Sequence, residues 1–143
     1  MKINRVIIAS DHAGFKLKES VKKFLFKKRK KILDLGTKNS KSVDYPDYAH
    51  LLSRKMKNNK DAFGILICGS GIGMNITANK HKNVRAALCY NVKSAKLSRQ
   101  HNNANVMAVG ARLTKKNVAL KCVETFIKTN FEGGRHNRRV KKI

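Results

Sequence analysis

The chain has 143 residues, 41% of them hydrophobic, and carries a formal charge of +25 from 33 Lys+Arg against 8 Asp+Glu. No apolar run reaches the roughly 18 residues that span a bilayer, and MKINRVIIASDH is too short in apolar content for a signal peptide. The expectation is one soluble domain, residues 1–143, that stays in the cytoplasm.

A chain of this length buries about 68–70% of the surface its unfolded form exposes, enough for a core without staples. The cysteines, Cys68, Cys89 and Cys122, are odd in number and none are spaced C-x-x-C. That pattern suggests neither a disulfide framework nor a zinc cluster and fits a reducing compartment. The lysines are dispersed apart from Lys27-Lys28-Arg29-Lys30-Lys31 and a basic tail. No zinc-finger spacing or aromatic RNA-binding motif accompanies them, so the charge reads as solvated faces. A nucleic-acid partner is the rival reading.

Arg5–Ser10 is a short β-branched run, a buried strand. Leu17, Val21, Phe24 and Leu25 then form one stripe of a helix reaching to about Arg29. Ile32–Leu35 reads as a second strand and 36–46 as a loop. In Asp44-Tyr45-Pro46-Asp47, Asp47 is the expected cap of the next helix, whose buried stripe is Tyr48, Leu51, Leu52 and Met56. Phe63–Cys68 is the third strand, followed by a glycine loop and a helix to about Asn79. Arg85–Cys89 is strand four. Asn91 is placed to cap a helix over Val92–Gln100. Val106–Gly110 is strand five, and Thr114–Lys128 the last helix, with Val118, Cys122 and Phe126 on one face. Residues 129–143 read as a glycine-hinged basic tail. Strand and helix alternate five times and the strands are apolar on both faces, as in a buried parallel sheet. The expected fold is α/β: a Rossmann-like three-layer α/β/α sandwich around a five-stranded parallel sheet.

Ligands bind beyond the carboxyl ends of such strands. Strand one ends in Ser10-Asp11-His12, strand three in Cys68-Gly69-Ser70, and strand five in Gly110-Ala111-Arg112. Parallel strands put all three on one edge. Gly69-Ser70-Gly71-Ile72-Gly73-Met74 has Met where a dinucleotide fingerprint needs its third glycine, and no lysine where a P-loop needs one. Nucleotide binding is disfavoured, and a plain structural turn remains open beside an anion cradle. Glycines let backbone N–H groups converge at a helix start. A thiol beside them is placed to act as base or nucleophile. Cys122 lies on an apolar helix face and reads as core. His101 follows a helix and precedes strand five, so the topology puts it on the edge opposite Cys68. A second copy of the chain would bring the two together.

Asp11-His12-Ala13-Gly14, Asp44-Tyr45-Pro46, Cys68 to Gly73, Leu97-Ser98-Arg99-Gln100-His101-Asn102 and Glu132-Gly133-Gly134-Arg135-His136 occur in this order. As a set they resemble the B-type ribose-5-phosphate isomerases, a family shared with the subunits of galactose-6-phosphate isomerase. The resemblance covers essentially the whole chain. It implies metal-free, cofactor-free interconversion of an aldose and a ketose phosphate, with ribose 5-phosphate and ribulose 5-phosphate as the leading pair and a six-carbon phosphate (allose or galactose 6-phosphate) as the alternative. Residue by residue, Cys68 matches the base that moves the proton between C2 and C1. Gly69, Ser70, Gly71, Ile72 and Gly73 match the loop that holds the enediolate oxygens, Ser70 keeping a hydroxyl where many members have Thr. His101 matches the ring-opening residue and Asn102 its neighbour. Asp11 and His12 match substrate contacts, and Arg112, Arg135 and Arg139 the phosphate-binding residues. The family implies a homodimer or homotetramer with its sites at subunit interfaces.

Overall fold

In the computed structural model, which describes residues 3–143, five parallel strands form one sheet in the order β2-β1-β3-β5-β4. They are β1 (Arg5–Ser10), β2 (Lys31–Asp34), β3 (Ala62–Cys68), β4 (Ala86–Leu88) and β5 (Val106–Gly110). Six helices connect and flank them: α1 (Phe15–Lys27), α2 (Tyr45–Lys57), α3 (Ile72–Ala78), α4 (Val92–Asn102), α5 (Lys116–Lys128) and α6 (Arg135–Val140). The expected α/β/α sandwich is the observed architecture.

The two-residue period of the strands divides the core. Val6 and Ile8, Phe63, Ile65 and Ile67, and Met107 and Val109 face one layer, where Val21, Leu25, Ala119, Cys122 and Phe126 of α1 and α5 pack with Ala95 of α4. Ile7, Ala9, Leu66, Cys68, Val106 and Ala108 face the other, against Ala49, Leu52 and Met56 of α2 and Met74 and Ala78 of α3. Each fully buried Leu or Ile contributes roughly 1.5–3 kcal/mol. β1, β3 and β5 are buried throughout apart from Arg5, whereas the edge strands β2 and β4 are half-buried.

Three local expectations change. Asp44, not Asp47, is the N-cap of α2: it holds extended backbone and its carbonyl accepts the Asp47 N–H at 3.2 Å. Pro46 falls in the first turn, where its missing N–H costs no helical bond. The buried face of α2 is Ala49, Leu52, Ser53 and Met56, and Leu51 is exposed. Ser53 enters the core because its hydroxyl donates to the Ala49 carbonyl at 2.7 Å. The basic tail is not featureless, since residues 135–140 form α6, whose buried residue is His136. Asn91 caps α4 as expected, its side chain accepting the Ser94 N–H at 2.7 Å while the Ser94 hydroxyl bonds back to the Asn91 N–H at 3.3 Å. No helix among the described residues is long and apolar enough to cross a membrane.

Candidate active site

The carboxyl ends of β1 and β3 lie side by side, Ser10 paired with Ile67. Here the chain order across the sheet reverses: β1 leads outward to β2, and β3 leads toward the β5 side. A cleft outside the strand ends is expected there. The observed pocket has a volume of about 580 Å³, and Asp11, Cys68, Gly69, Ser70 and Arg112 are among its walls.

Cys68 ends β3 with its side chain nearly buried. Its Sγ accepts the Gly71 N–H at 3.1 Å. That bond exists because Gly71 takes a left-handed turn, φ +79°, which folds the loop back over the thiol. A Cβ at Gly71 would lie 2.7 Å from the Leu88 side chain and 2.8 Å from the Val109 backbone, so the loop is also pressed onto β5. The Ser70 hydroxyl accepts the Ile72 N–H at 3.2 Å. The Gly69 and Ser70 N–H groups find no acceptor among the described residues. The Arg112 N–H donates to the Gly69 carbonyl at 2.9 Å, and its guanidinium lies beside Gly69, on the pocket wall. Asp11 is buried, with one carboxylate oxygen accepting the Gly14 N–H at 3.0 Å at the start of α1. His12 Nδ1 accepts the Val43 N–H at 3.1 Å, which fixes the ring and leaves Nε2 to carry the proton of the neutral imidazole.

Tyr45 was not among the expected site residues, yet it borders this pocket. Its ring lies so close over Gly73 that a Cβ there would be 2.5 Å from two ring carbons. Glycine at 73 is what admits the tyrosine. Nothing in the sequence pairs positions 45 and 73.

The other two cysteines are core. Burial pushes the Cys89 thiol up to about 12, so it stays protonated. Burial likewise raises the Cys122 thiol.

The second set of expected residues is elsewhere. His101 and Asn102 end α4, and Arg135 and Arg139 lie on α6. None of these lines the Cys68 pocket. The His101 ring stacks on His136 with centroids 4.3 Å apart and planes at 16°. The Glu132 N–H donates to the Gln100 carbonyl at 3.1 Å, and its carboxylate lies 3.7 Å from His136 Nε2. Burial first, then the facing His101 and Arg135, lower the His136 pKa from its ordinary value, Glu132 opposing them. One chain therefore holds Asp11, Cys68, Gly69, Ser70, Ile72, Gly73 and Arg112 around one pocket, and His101, Asn102, Arg135 and Arg139 in a separate group.

A family model described as Ribose/Galactose Isomerase matches residues 6–143. A probable ribose-5-phosphate isomerase B of Mycoplasma pneumoniae is 46% identical over 145 residues, covering 100% of this chain and 95% of the relative. The solved ribose 5-phosphate isomerase of Thermotoga maritima is 48% identical, with a TM-score of 0.94 over 96% of this chain and 95% of that one. The ribose-5-phosphate isomerase B of Mycoplasma genitalium, solved with bound ribulose 5-phosphate, is 46% identical, with a TM-score of 0.93 over 96% and 92%. With a matching fold and near full-length identity above 40%, this chain belongs to the ribose/galactose isomerase family.

Proposed function

We propose that the chain interconverts ribose 5-phosphate and ribulose 5-phosphate. The observation that carries this reading is the Cys68 thiol, held under the glycine turn by the Gly71 N–H at 3.1 Å, on a pocket wall with unspent amides beside it. Enolisation needs a base and donors aimed at the oxygen where charge develops. The open-chain aldose offers its C2 proton to the Cys68 thiolate. The electron pair moves into the C1–C2 bond and charge collects on O1, facing the free amides of Gly69 and Ser70 and the Ser70 hydroxyl. The thiol returns the proton to C1. O2 loses its proton as the C2 carbonyl forms, and O1 gains one.

Arg112, Arg135 and Arg139 take the phosphate, since guanidinium forks bind its oxygens bidentately. Asp11 and His12 contact the sugar hydroxyls. His101, beside Asn102, opens the furanose ring, and it comes from a second subunit. The mature enzyme in this reading is a homodimer or homotetramer working in the cytoplasm, without a cofactor. Tyr45, Ile72, Ile76 and Leu113 support the shared site: they border the pocket and are 40%, 49%, 58% and 71% exposed in the single chain. A rim this apolar suits coverage by another copy.

A coupled assay of purified protein on ribose 5-phosphate tests the reading. Turnover in the wild type and its collapse in Cys68→Ala are expected. An inactive wild type, or unchanged turnover in the variant, contradicts it. Comparing kcat/KM on five- and six-carbon phosphates separates ribose 5-phosphate from allose or galactose 6-phosphate.

A further inference from the structure

His101 ends α4, Glu132 lies in the connector after α5, and His136 is in the first turn of α6. Their ligand-type atoms all lie within 4.8 Å of one another. We propose that these three side chains form a binding site for a divalent transition-metal ion such as Zn²⁺, and that occupancy inhibits the enzyme by ligating His101. The inhibitory half rests on the role given to His101 above, whereas the binding half does not.

The donor set is two imidazoles and one carboxylate, the N/O chemistry that Zn²⁺, Co²⁺ and Ni²⁺ accept. Zinc bonds of about 2.0–2.2 Å in a tetrahedral site set ligand atoms roughly 3.3 Å apart. The Glu132 carboxylate and His136 Nε2 already lie 3.7 Å apart. The remaining closure falls on His101, whose ring must turn out of its stack with His136. Gly133 and Gly134, at φ +66° and +53°, separate Glu132 from His136 and give the connector room to adjust. The Glu132 N–H bond to the Gln100 carbonyl keeps that carboxylate next to the end of α4. Arg135 and Arg139 on the same short helix oppose a cation, and the Glu132 carboxylate offsets them. Three protein ligands leave the fourth position for water, so the ion sits on the site without being built into the fold.

Metal-free full-length protein is titrated with Zn²⁺ by calorimetry and with Co²⁺ by absorption spectroscopy. Wild type, Glu132→Gln, His136→Gln and Cys68→Ala are compared. One ion per chain is expected, weakened at least ~10-fold in Glu132→Gln and His136→Gln and unchanged in Cys68→Ala. The cobalt spectrum should show no thiolate charge-transfer band. Glu132 is half-exposed, so its variant tests ligation even where His136→Gln disturbs packing. Equal affinity in wild type and Glu132→Gln, or affinity lost in Cys68→Ala, overturns the site. For the inhibitory half, Zn²⁺ should slow wild-type turnover reversibly on chelation, while Glu132→Gln keeps its basal rate and needs at least ~10-fold more Zn²⁺. Stoichiometric binding with unaltered turnover overturns inhibition. A metal-free wild type with no turnover counts against the proposed isomerase and leaves the binding result standing.

Discussion

At the carboxyl end of β3, the Cys68 thiol accepts one N–H, and the neighbouring Gly69 and Ser70 amides donate to nothing among the described residues. At the amino end of the same strand, the Arg99 guanidinium spends its Nε and Nη1 donors on the protein itself. It donates to the Thr129 and Ala104 carbonyls and the Asn103 side chain. It also lies over the Phe63 ring at 4.7 Å and the Phe126 ring at 5.7 Å. Both regions are buried and polar, and both are glycine- or cation-rich on paper. They differ in whether the donors are already used. Donors with internal acceptors hold elements together, here α4, α5 and β3. Donors without them, beside a pocket, can stabilise a charge that appears only when substrate reacts.

That contrast predicts opposite signatures for variants at the two ends. Cys68→Ala should lower kcat by ~10²–10⁴-fold, the range for losing a general base, with Tm nearly unchanged. A large fall in Tm with turnover retained would show that the thiol serves packing alone. Gly71→Ala should cost ~10²–10³-fold, because it displaces the N–H held on the Cys68 thiol and with it the neighbouring Gly69 and Ser70 donors. It should also lower Tm, because a left-handed residue with Leu88 and Val109 in contact does not accept a methyl without strain. At the other end, Arg99→Met should destabilise by on the order of 3 kcal/mol, since it leaves the buried Ala104 carbonyl and the half-buried Thr129 carbonyl without a donor. Chemical denaturation measures that loss, and a neutral result would mean the clamp adds nothing.

The smallest effect concerns the buried ion cluster beneath α1, which belongs to neither end. The Lys18 ammonium is wholly buried and donates to both Asp34 oxygens at 2.6 and 2.8 Å, and Lys22 joins at 2.7 Å. Burial pulls the Asp34 carboxyl upward, but hydrogen bonds from Lys18, Lys22 and the Gly36 N–H together hold it below its ordinary value. A depressed carboxyl stabilises the fold above its unfolded pKa of about 3.9, and that stability disappears as pH falls through the folded value. Asp34→Asn should therefore flatten the acid limb of a stability-versus-pH curve. It should also cost stability at pH 7, because the buried Lys18 loses its principal partner. An unaltered acid limb would show that other carboxylates set it.

β1 and β5 could be read to the residue because a β-branched or apolar run bounded by polar residues has one interpretation in a buried parallel sheet. The turn that folds over Cys68 at the end of β3 was legible for a related reason: it is carried within six consecutive residues. α6 was not, because Arg135–Val140 has no apolar stripe and is anchored by one buried histidine. Leu51 misled for the opposite reason. A leucine counts as core by type, whereas the burial of Ser53 depends on an intrahelical hydrogen bond that a hydropathy pattern does not record. The stack of His101 on His136 joins residues 35 apart through three separate elements, which no spacing rule reaches. The separation of His101 from Cys68 was readable from topology alone, since the end of a crossover helix and the end of a parallel strand fall on opposite edges.

That separation makes a site shared between subunits directly testable. If the site is shared between subunits, Cys68→Ala and His101→Ala each inactivate, and a mixed dimer restores one intact site. After subunit exchange in an equimolar mixture, about one quarter of wild-type turnover on ribose 5-phosphate should return, the statistical share of intact sites in a two-fold dimer. A mixture that exchanges subunits and stays at the level of the separate variants would contradict a site completed by His101 of a second chain.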